Sequence, residues 1–217
     1  MSEQILVATA YLPPVEYFSH ISGADVVLIE REENYIKQSY RNRCYILSAH
    51  GPQSLSVPVL LGSVHKTPVK DIRIDYTKRW QQIHIRAIRS SYGCSPFFQY
   101  YFEDFEGIIC KSHNYLIDLN LNLLEMLIKI LKLKKKVLYT DKFLPAGIDQ
   151  NDFRYSISPK KNSDYIQKEY QQVFGEGNNF VTGLSIIDLI FNMGPDSGKY
   201  LQSSLFRNSP GEVAAKK

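Results

Sequence analysis

The sequence predicts a mixed α/β fold: a sheet with a βαβ start, an inserted β-hairpin, and a run of consecutive helices packed on the sheet. Three observations carry this. Residues 4–10 (QILVATA) and 25–30 (DVVLIE) read as short buried strands with one helical span between them, the spacing of a parallel pair with a right-handed crossover. His50-Gly51-Pro52 punctuates two β-prone runs, as a hairpin turn does. Between residues 77 and 134 three helical patterns follow one another without a strand, which stacks helices against the sheet.

The elements follow in order. Residues 4–10 are β-branched and small, and Tyr11-Leu12-Pro13-Pro14 ends them. Proline is tolerated in a first helical turn because that N–H is unpaired anyway. Residues 15–22 then read as a helix with Tyr17, Phe18 and Ile21 toward the core, and Gly23 is its stop. After the strand 25–30 comes a basic stretch, 34–43, with Lys37, Arg41 and Arg43 and no acid. The hairpin strands are 44–49 and 53–60, and Pro58 puts the second at an edge or bulge. Residues 61–68 read as loop and 69–75 as a strand.

Residues 77–92 form the best-marked amphipathic helix. Trp80, His84, Ile88 and Tyr92 recur every fourth residue along one slowly drifting stripe, Ile83 and Ala87 widen it, and Gly93 ends it. Helices at 97–110 and 114–134 follow; the second is apolar nearly all round and reads as central. Asp118, Glu125 and Lys129 interrupt it, so no charge-free run reaches membrane-spanning length. The lysines at 132 and 134–136 suit a helix C-terminus. Residues 137–140 read as a short strand and 141–181 as loops with a short helix at 164–174. Thr182 to Ser185 cap a compact helix, 186–193, closed by Gly194 and Pro195. One domain, 1–195, is expected, with a partly disordered extension over 196–217 that frays at 212–217.

Composition bounds the function. The chain has 217 residues, enough for one large core, with 44% hydrophobic and 22% charged residues, as in an ordinary globule. A net charge of +4 is too weak to argue for nucleic acid, and no RNA-binding-sheet or zinc-finger signature is present. Cys44, Cys94 and Cys110 are odd in number and widely spaced, against a disulfide framework or a cysteine-based zinc site. The N-terminus lacks a signal-peptide pattern, so a reducing, cytoplasmic setting is expected. Fifteen tyrosines raise the expectation of a polar-lined cleft.

Five histidines, His20, His50, His65, His84 and His113, make no metal spacing, and there is no GxSxG elbow or P-loop. No metal or cofactor is expected. The loop after the first strand, 9–13, is where such sheets commonly line a ligand, but it carries no glycine-rich phosphate fingerprint. Tyr11 there is a candidate lining group or a core residue. His84 sits on the helix stripe. An imidazole with an ordinary pKa of about 6.5 can act as acid or base near neutrality, and a helix histidine can equally be a core residue bonded beside Trp80. Ser91 and Cys94 lie on or past the same helix, poorly placed for a bond to it. In the basic stretch a guanidinium can fork oxygens, an ammonium supplies a point charge, and hydroxyl and amide groups orient the ligand. If that backbone is extended, Lys37, Ser39, Arg41 and Arg43 share one face and Asn42 takes the other. The other reading is a solvated basic connection.

In their order and spacing, several segments resemble one family. Tyr11-Leu12-Pro13 with Tyr17-Phe18, Ala24-Asp25-Val26, Lys37-x-Ser39-x-x-Asn42-Arg43 and Leu55-Ser56-Val57-Pro58-Val59 are similar to WbqC-like proteins. So are Trp80-x3-His84-x3-Ile88-x3-Tyr92-x3-Pro96-x-Phe98 and the helix Ser185-Ile-Ile-Asp188-Leu-Ile-Phe191-Asn192-x-Gly194. The matches run from about residue 4 to 194, and the shorter C-terminal region looks like versions from Bacteroidetes-type bacteria. The resemblance implies a bacterial cytoplasmic protein, a transferase in surface-polysaccharide (O-antigen) biosynthesis that moves an aminoacyl group to an amino sugar. His84 would then be catalytic, with Tyr11, Lys37, Ser39, Arg41, Asn42 and Arg43 binding substrate. Many members carry His-Gln-Pro before the Tyr-Leu-Pro, where this chain has Val7, Ala8 and Thr9. That departure favours the alternative, a non-catalytic binding protein for a small anionic ligand such as a sugar nucleotide. Either way the expected partner is an anionic or amino-sugar-type small molecule, without nucleic acid or membrane insertion.

Overall fold

Strand β1 (Gln4–Ala8) and strand β2 (Val26–Glu30) pair in parallel across helix α1 (Val15–Gly23), Ile5 beside Val27 and Val7 beside Ile29. The computed structural model describes residues 3–60, 66–146, 151–161, 163–174 and 180–205. Beyond β2 the chain forms β3 (Arg43–Ser48), β4 (Gly51–Ser56), β5 (Val59–Leu60), β6 (Arg73–Ile74), α2 (Trp80–Tyr92), α3 (Phe98–Cys110), α4 (Leu116–Ile130), β7 (Lys136–Tyr139), α5 (Ile186–Met193) and α6 (Ser197–Leu205). β7 adds in parallel to β2, giving the order β1-β2-β7. Residues 5–8 are buried without alternation, as in a parallel strand covered on both faces. The outer edge of β1 is also occupied. Asp152 bridges Leu6 in parallel, with Leu6 N donating to Asn151 O at 3.0 Å and Phe153 N to Leu6 O at 2.8 Å.

β3 and β4 make the predicted hairpin, Arg43 opposite Ser56 and Ser48 opposite Gly51. Gly51 takes φ 97°, the left-handed region that a residue without a Cβ enters at no steric cost. The second hairpin strand is shorter than predicted. It breaks at Val57-Pro58, because proline has no N–H to give the ladder, and β5 pairs instead with β6. The strand expected over 69–75 is also corrected. Val69–Asp71 is a 3-10 turn behind Pro68, fixed by Val69 N donating to Glu33 O at 2.8 Å, and only Arg73 and Ile74 are strand.

The three consecutive helices form as predicted. Trp80, His84, Ile88 and Tyr92 are all buried on α2. Ile83 does not widen that stripe: it is 58% exposed, and Ile85 is buried in its place. Each step of four adds about 40° to the stripe, which carries it toward Ile85 and away from Ile83. α4 buries Leu116, Leu119, Asn120, Leu123, Leu124, Leu127 and Ile128. α5 is capped by Ser185, whose side chain accepts from Ile187 N, and is buried from Ile186 to Phe191. Gly194 (φ 52°) ends it against the Phe97 ring, where a Cβ would overlap ring carbons. The chain stays on the body after residue 195: α6 packs along α1 and buries Tyr200 and Leu201. The tail 212–217 lies outside the described residues.

The helix expected over 164–174 is absent among its described residues, which carry no regular structure. Side chains hold that stretch instead. Tyr170 donates to the Asp188 carboxylate at 2.6 Å, and Gln172 both donates to Val181 O and accepts from Val181 N. Among the described residues no helix is long and apolar enough to cross a membrane.

Candidate functional site

The first strand leaves the sheet through Thr9, Ala10 and Tyr11. Tyr11 N donates to Tyr40 O at 2.8 Å, tying the strand end to the basic stretch. Leu12 follows at φ 42°, a left-handed conformation that costs a bulky residue on the order of 1–3 kcal/mol. The surroundings over-determine it: Leu12 is fully buried, Pro13 O accepts from Ile186 N, and Pro14 bridges Ser185.

This clamp aims Tyr11 at helix α2. The Tyr11 hydroxyl lies 2.8 Å from His84 Nδ1, and the Trp80 ring meets the imidazole edge-on at 5.1 Å. Both partners are buried. Burial pushes the imidazole down to about 4, against the raising effect of a hydrogen bond to the Ser56 backbone. Burial also holds the Tyr11 phenol well above its ordinary value. The pair is therefore neutral at pH 7. A neutral imidazole carries one proton, and with that proton on Nε2 the ring presents a bare nitrogen to the Tyr11 hydroxyl. That leaves Nδ1 to accept from Tyr11.

The basic stretch is a pair of turns, not extended backbone, so the alternation expected for Lys37, Ser39, Arg41 and Arg43 does not apply. Gln38 takes φ 56°, and Ser39 Oγ donates to Ile36 O at 2.7 Å. Arg41 is buried in a bidentate pair with Glu33, its Nε at 2.8 Å and its Nη2 at 2.6 Å from the carboxylate. Burial raises the Glu33 carboxyl and the Arg41 fork opposes that rise. Asn42 Nδ2 donates to Val57 O at 2.8 Å, while its Oδ1 is buried without a partner. Lys37 is exposed. Arg43 is half-buried, has no carboxylate partner among the described residues, and its Nε is buried without an acceptor. Tyr35 lies in its field: burial pushes that phenol up to about 12, and Arg43 and then Arg41 pull it back.

Arg43 and His84 thus adjoin the same residue from two sides. Ser56 is the register partner of Arg43 and the backbone partner of His84. On β3 Cys44 is fully buried and faces the core, and its half-buried neighbour Arg43 points to the other face of the hairpin. The fold brings Tyr11 and His84 into contact and seats Asn42 and Arg43 behind them. Lys37 lies exposed on the turn that precedes them.

Sequence reasoning missed a buried polar layer at the carboxyl ends of the parallel strands. Glu30, which closes β2, accepts from Thr140 Oγ1 at 2.7 Å and from Arg154 Nη1 at 2.8 Å. Arg154 also binds Asp152 through Nε at 2.9 Å and Nη2 at 2.7 Å, and donates to the Leu144 carbonyl. On α4, Asn120 Nδ2 donates to Thr9 Oγ1 at 3.1 Å and to Arg41 O at 2.8 Å. The signal for Glu30 was present, a carboxylate ending an apolar strand. Arg154 lies in a polar stretch with no periodicity to mark it. Among the described residues no group of His, Cys, Asp and Glu could hold a metal ion.

Comparison with known proteins places these residues in context. The chain matches the model of the WbqC-like protein family over residues 9–164 and 148–200. It is also similar to a protein of Mycobacterium tuberculosis described as uncharacterized protein Rv1507c, 25% identical over 231 residues that cover 93% of this chain and 98% of that protein. No solved structure matches.

Proposed function

The chain belongs to the WbqC-like protein family, and from that premise we propose that it binds a small anionic ligand of the sugar-nucleotide class, with Arg43 as the anion-binding group. One observation carries this reading. Arg41 and Arg154, the other arginines of this region, are engaged by Glu33 and by Glu30 and Asp152, whereas Arg43 has a buried Nε without an acceptor. A cation left half out of water without counter-charge is costly, and ligand oxygens relieve that cost through short, charge-assisted bonds. Lys37 on the adjoining turn adds a point charge, and Ser39, Arg41 and Asn42 fix the backbone that presents Arg43.

A thermal-shift panel of sugar nucleotides, aminoacyl donors and polyphosphates tests the proposal. A ligand at a hundred times its dissociation constant adds about 2.7 kcal/mol to stability. A shift in the parent that disappears in Arg43→Ala supports the reading. No shift with any anion, or an unchanged shift in the variant, overturns it.

The Tyr11–His84 contact favours a second reading, transfer of an aminoacyl group to an amino sugar in surface-polysaccharide biosynthesis. There the pair would act as a relay, the Tyr11 hydroxyl taking the proton that the attacking amine loses as the acyl bond forms while it passes its own to His84 Nδ1. Product formed by the parent and lost in a folded His84→Ala variant would support it; binding without product favours the first reading.

A further inference from the structure

Helices α3 and α4 follow one another across a short connection and leave an open groove of about 720 Å³ between them. Its floor is apolar, from Tyr101 and Ile108 on α3 and Met126 and Ile130 on α4, and none of the four is fully covered. Charges of both signs stand along it: Asp104 and Lys111 on one wall, Glu125 and Lys129 on the other, with Lys132 past the end of α4. Among the described residues none of these side chains is in an ion pair. Tyr100, one turn before Asp104, is 76% exposed.

Gly107 gives this face a second property. It stands in the interior of α3, where glycine costs helix stability relative to alanine. It is exposed, and a Cβ added there meets nothing within 4 Å. Nothing within one copy of the chain therefore calls for glycine at this position. A missing side chain does permit the close approach of another backbone.

The sequence around Gly107 is symmetric in charge. Asp104 lies three residues before Gly107, and Lys111 three residues after Ile108, so the four recur at helical spacing along one face. A two-fold axis at Gly107–Ile108 lays one α3 antiparallel to another. It seats Ile108 of each copy against Gly107 of the other, and it sets Asp104 of each copy against Lys111 of the other, twice. A nucleic acid or an anionic surface would leave Asp104 and Glu125 facing like charge, whereas a second copy satisfies both signs.

We propose that this face of α3, with the groove beside it, docks a second copy of the chain in an isologous dimer centred on Gly107.

Sedimentation velocity of the full chain, from low micromolar to near-millimolar concentration, tests it. The parent is expected to pass from monomer to dimer. Gly107→Leu should remain monomeric, yet melt higher than the parent where both are monomers, because leucine is the better helix former and has room. Asp104→Lys and Lys111→Asp should each weaken the dimer by more than about tenfold, since each sets like charges together across the axis. An equimolar mixture of those two variants should dimerise again, because both cross-pairs are then of opposite sign. All three positions are exposed, and circular dichroism checks that each variant is folded. If Gly107→Leu does not fold, the charge exchange decides alone. A parent that stays monomeric throughout overturns the proposal and leaves the groove to another partner or to solvent. A dimer that survives Gly107→Leu or either charge reversal overturns it by placing the contact on another face, and a mixture that stays monomeric overturns the pairing of Asp104 with Lys111. Anion binding at Arg43 does not enter this readout, so the two proposals fail separately.

Discussion

The Tyr11 hydroxyl and His84 Nδ1, 73 residues apart in the chain, stand 2.8 Å from one another in the core. The contact joins the end of β1 to the middle of α2. It predicts that Tyr11→Phe leaves Nδ1 buried without a donor. The expected loss is about 1–3 kcal/mol, read as a lower denaturation midpoint with an unchanged slope. A phenylalanine variant as stable as the parent contradicts the contact.

His84 also predicts a pH dependence. Its folded value is about 4 against an ordinary 6.5, with burial as the cause. Above pH 6.5 both folded and unfolded chains hold a neutral imidazole, and the contribution is complete. As pH falls from 6.5 toward 4 the unfolded chain takes the proton and the folded chain refuses it, so stability is lost, by about 3 kcal/mol in full. Glu33 and Asp188, whose carboxyls burial raises, act in the opposite direction as acid is added. The difference between the parent and a folded His84→Asn variant, measured by urea unfolding from pH 7.5 to 4.5, isolates the histidine. Parallel curves would contradict the assignment.

Arg41 and Glu33 form a buried pair, so either single truncation strands a charge. Glu33→Leu or Arg41→Met alone is expected to cost about 3–5 kcal/mol, and the two together much less than the sum. Thermal unfolding of the four proteins completes the cycle. Additive single costs would show that the two groups do not depend on each other.

The parallel core was legible because its signals are periodic and local. QILVATA, DVVLIE and the Trp80–Tyr92 stripe each read correctly from spacing alone, and the Tyr-Leu-Pro break located the loop that holds Tyr11. Legibility failed where tertiary partners decide. Residues 164–174 have the composition of a short helix, but Tyr170 and Gln172 are drawn to Asp188 and Val181. Arg41 looked like a free cation because nothing in the sequence says that Glu33, eight positions earlier, folds back on it. The alternation of β3 puts half-buried Arg43 and buried Cys44 on opposite faces of the hairpin, which cannot be read until the strand's first residue is known.

The anion reading stands on Arg43, and one titration reaches it most directly. Calorimetry of a sugar nucleotide against the parent and Arg43→Ala, both shown to be folded, should give affinities that differ by about tenfold to a hundredfold, the worth of a charge-assisted bond of about 1.5–3 kcal/mol. Stability of the variant should be nearly unchanged, because Arg43 has no carboxylate partner to strand among the described residues. Equal affinities for the two proteins would contradict the account.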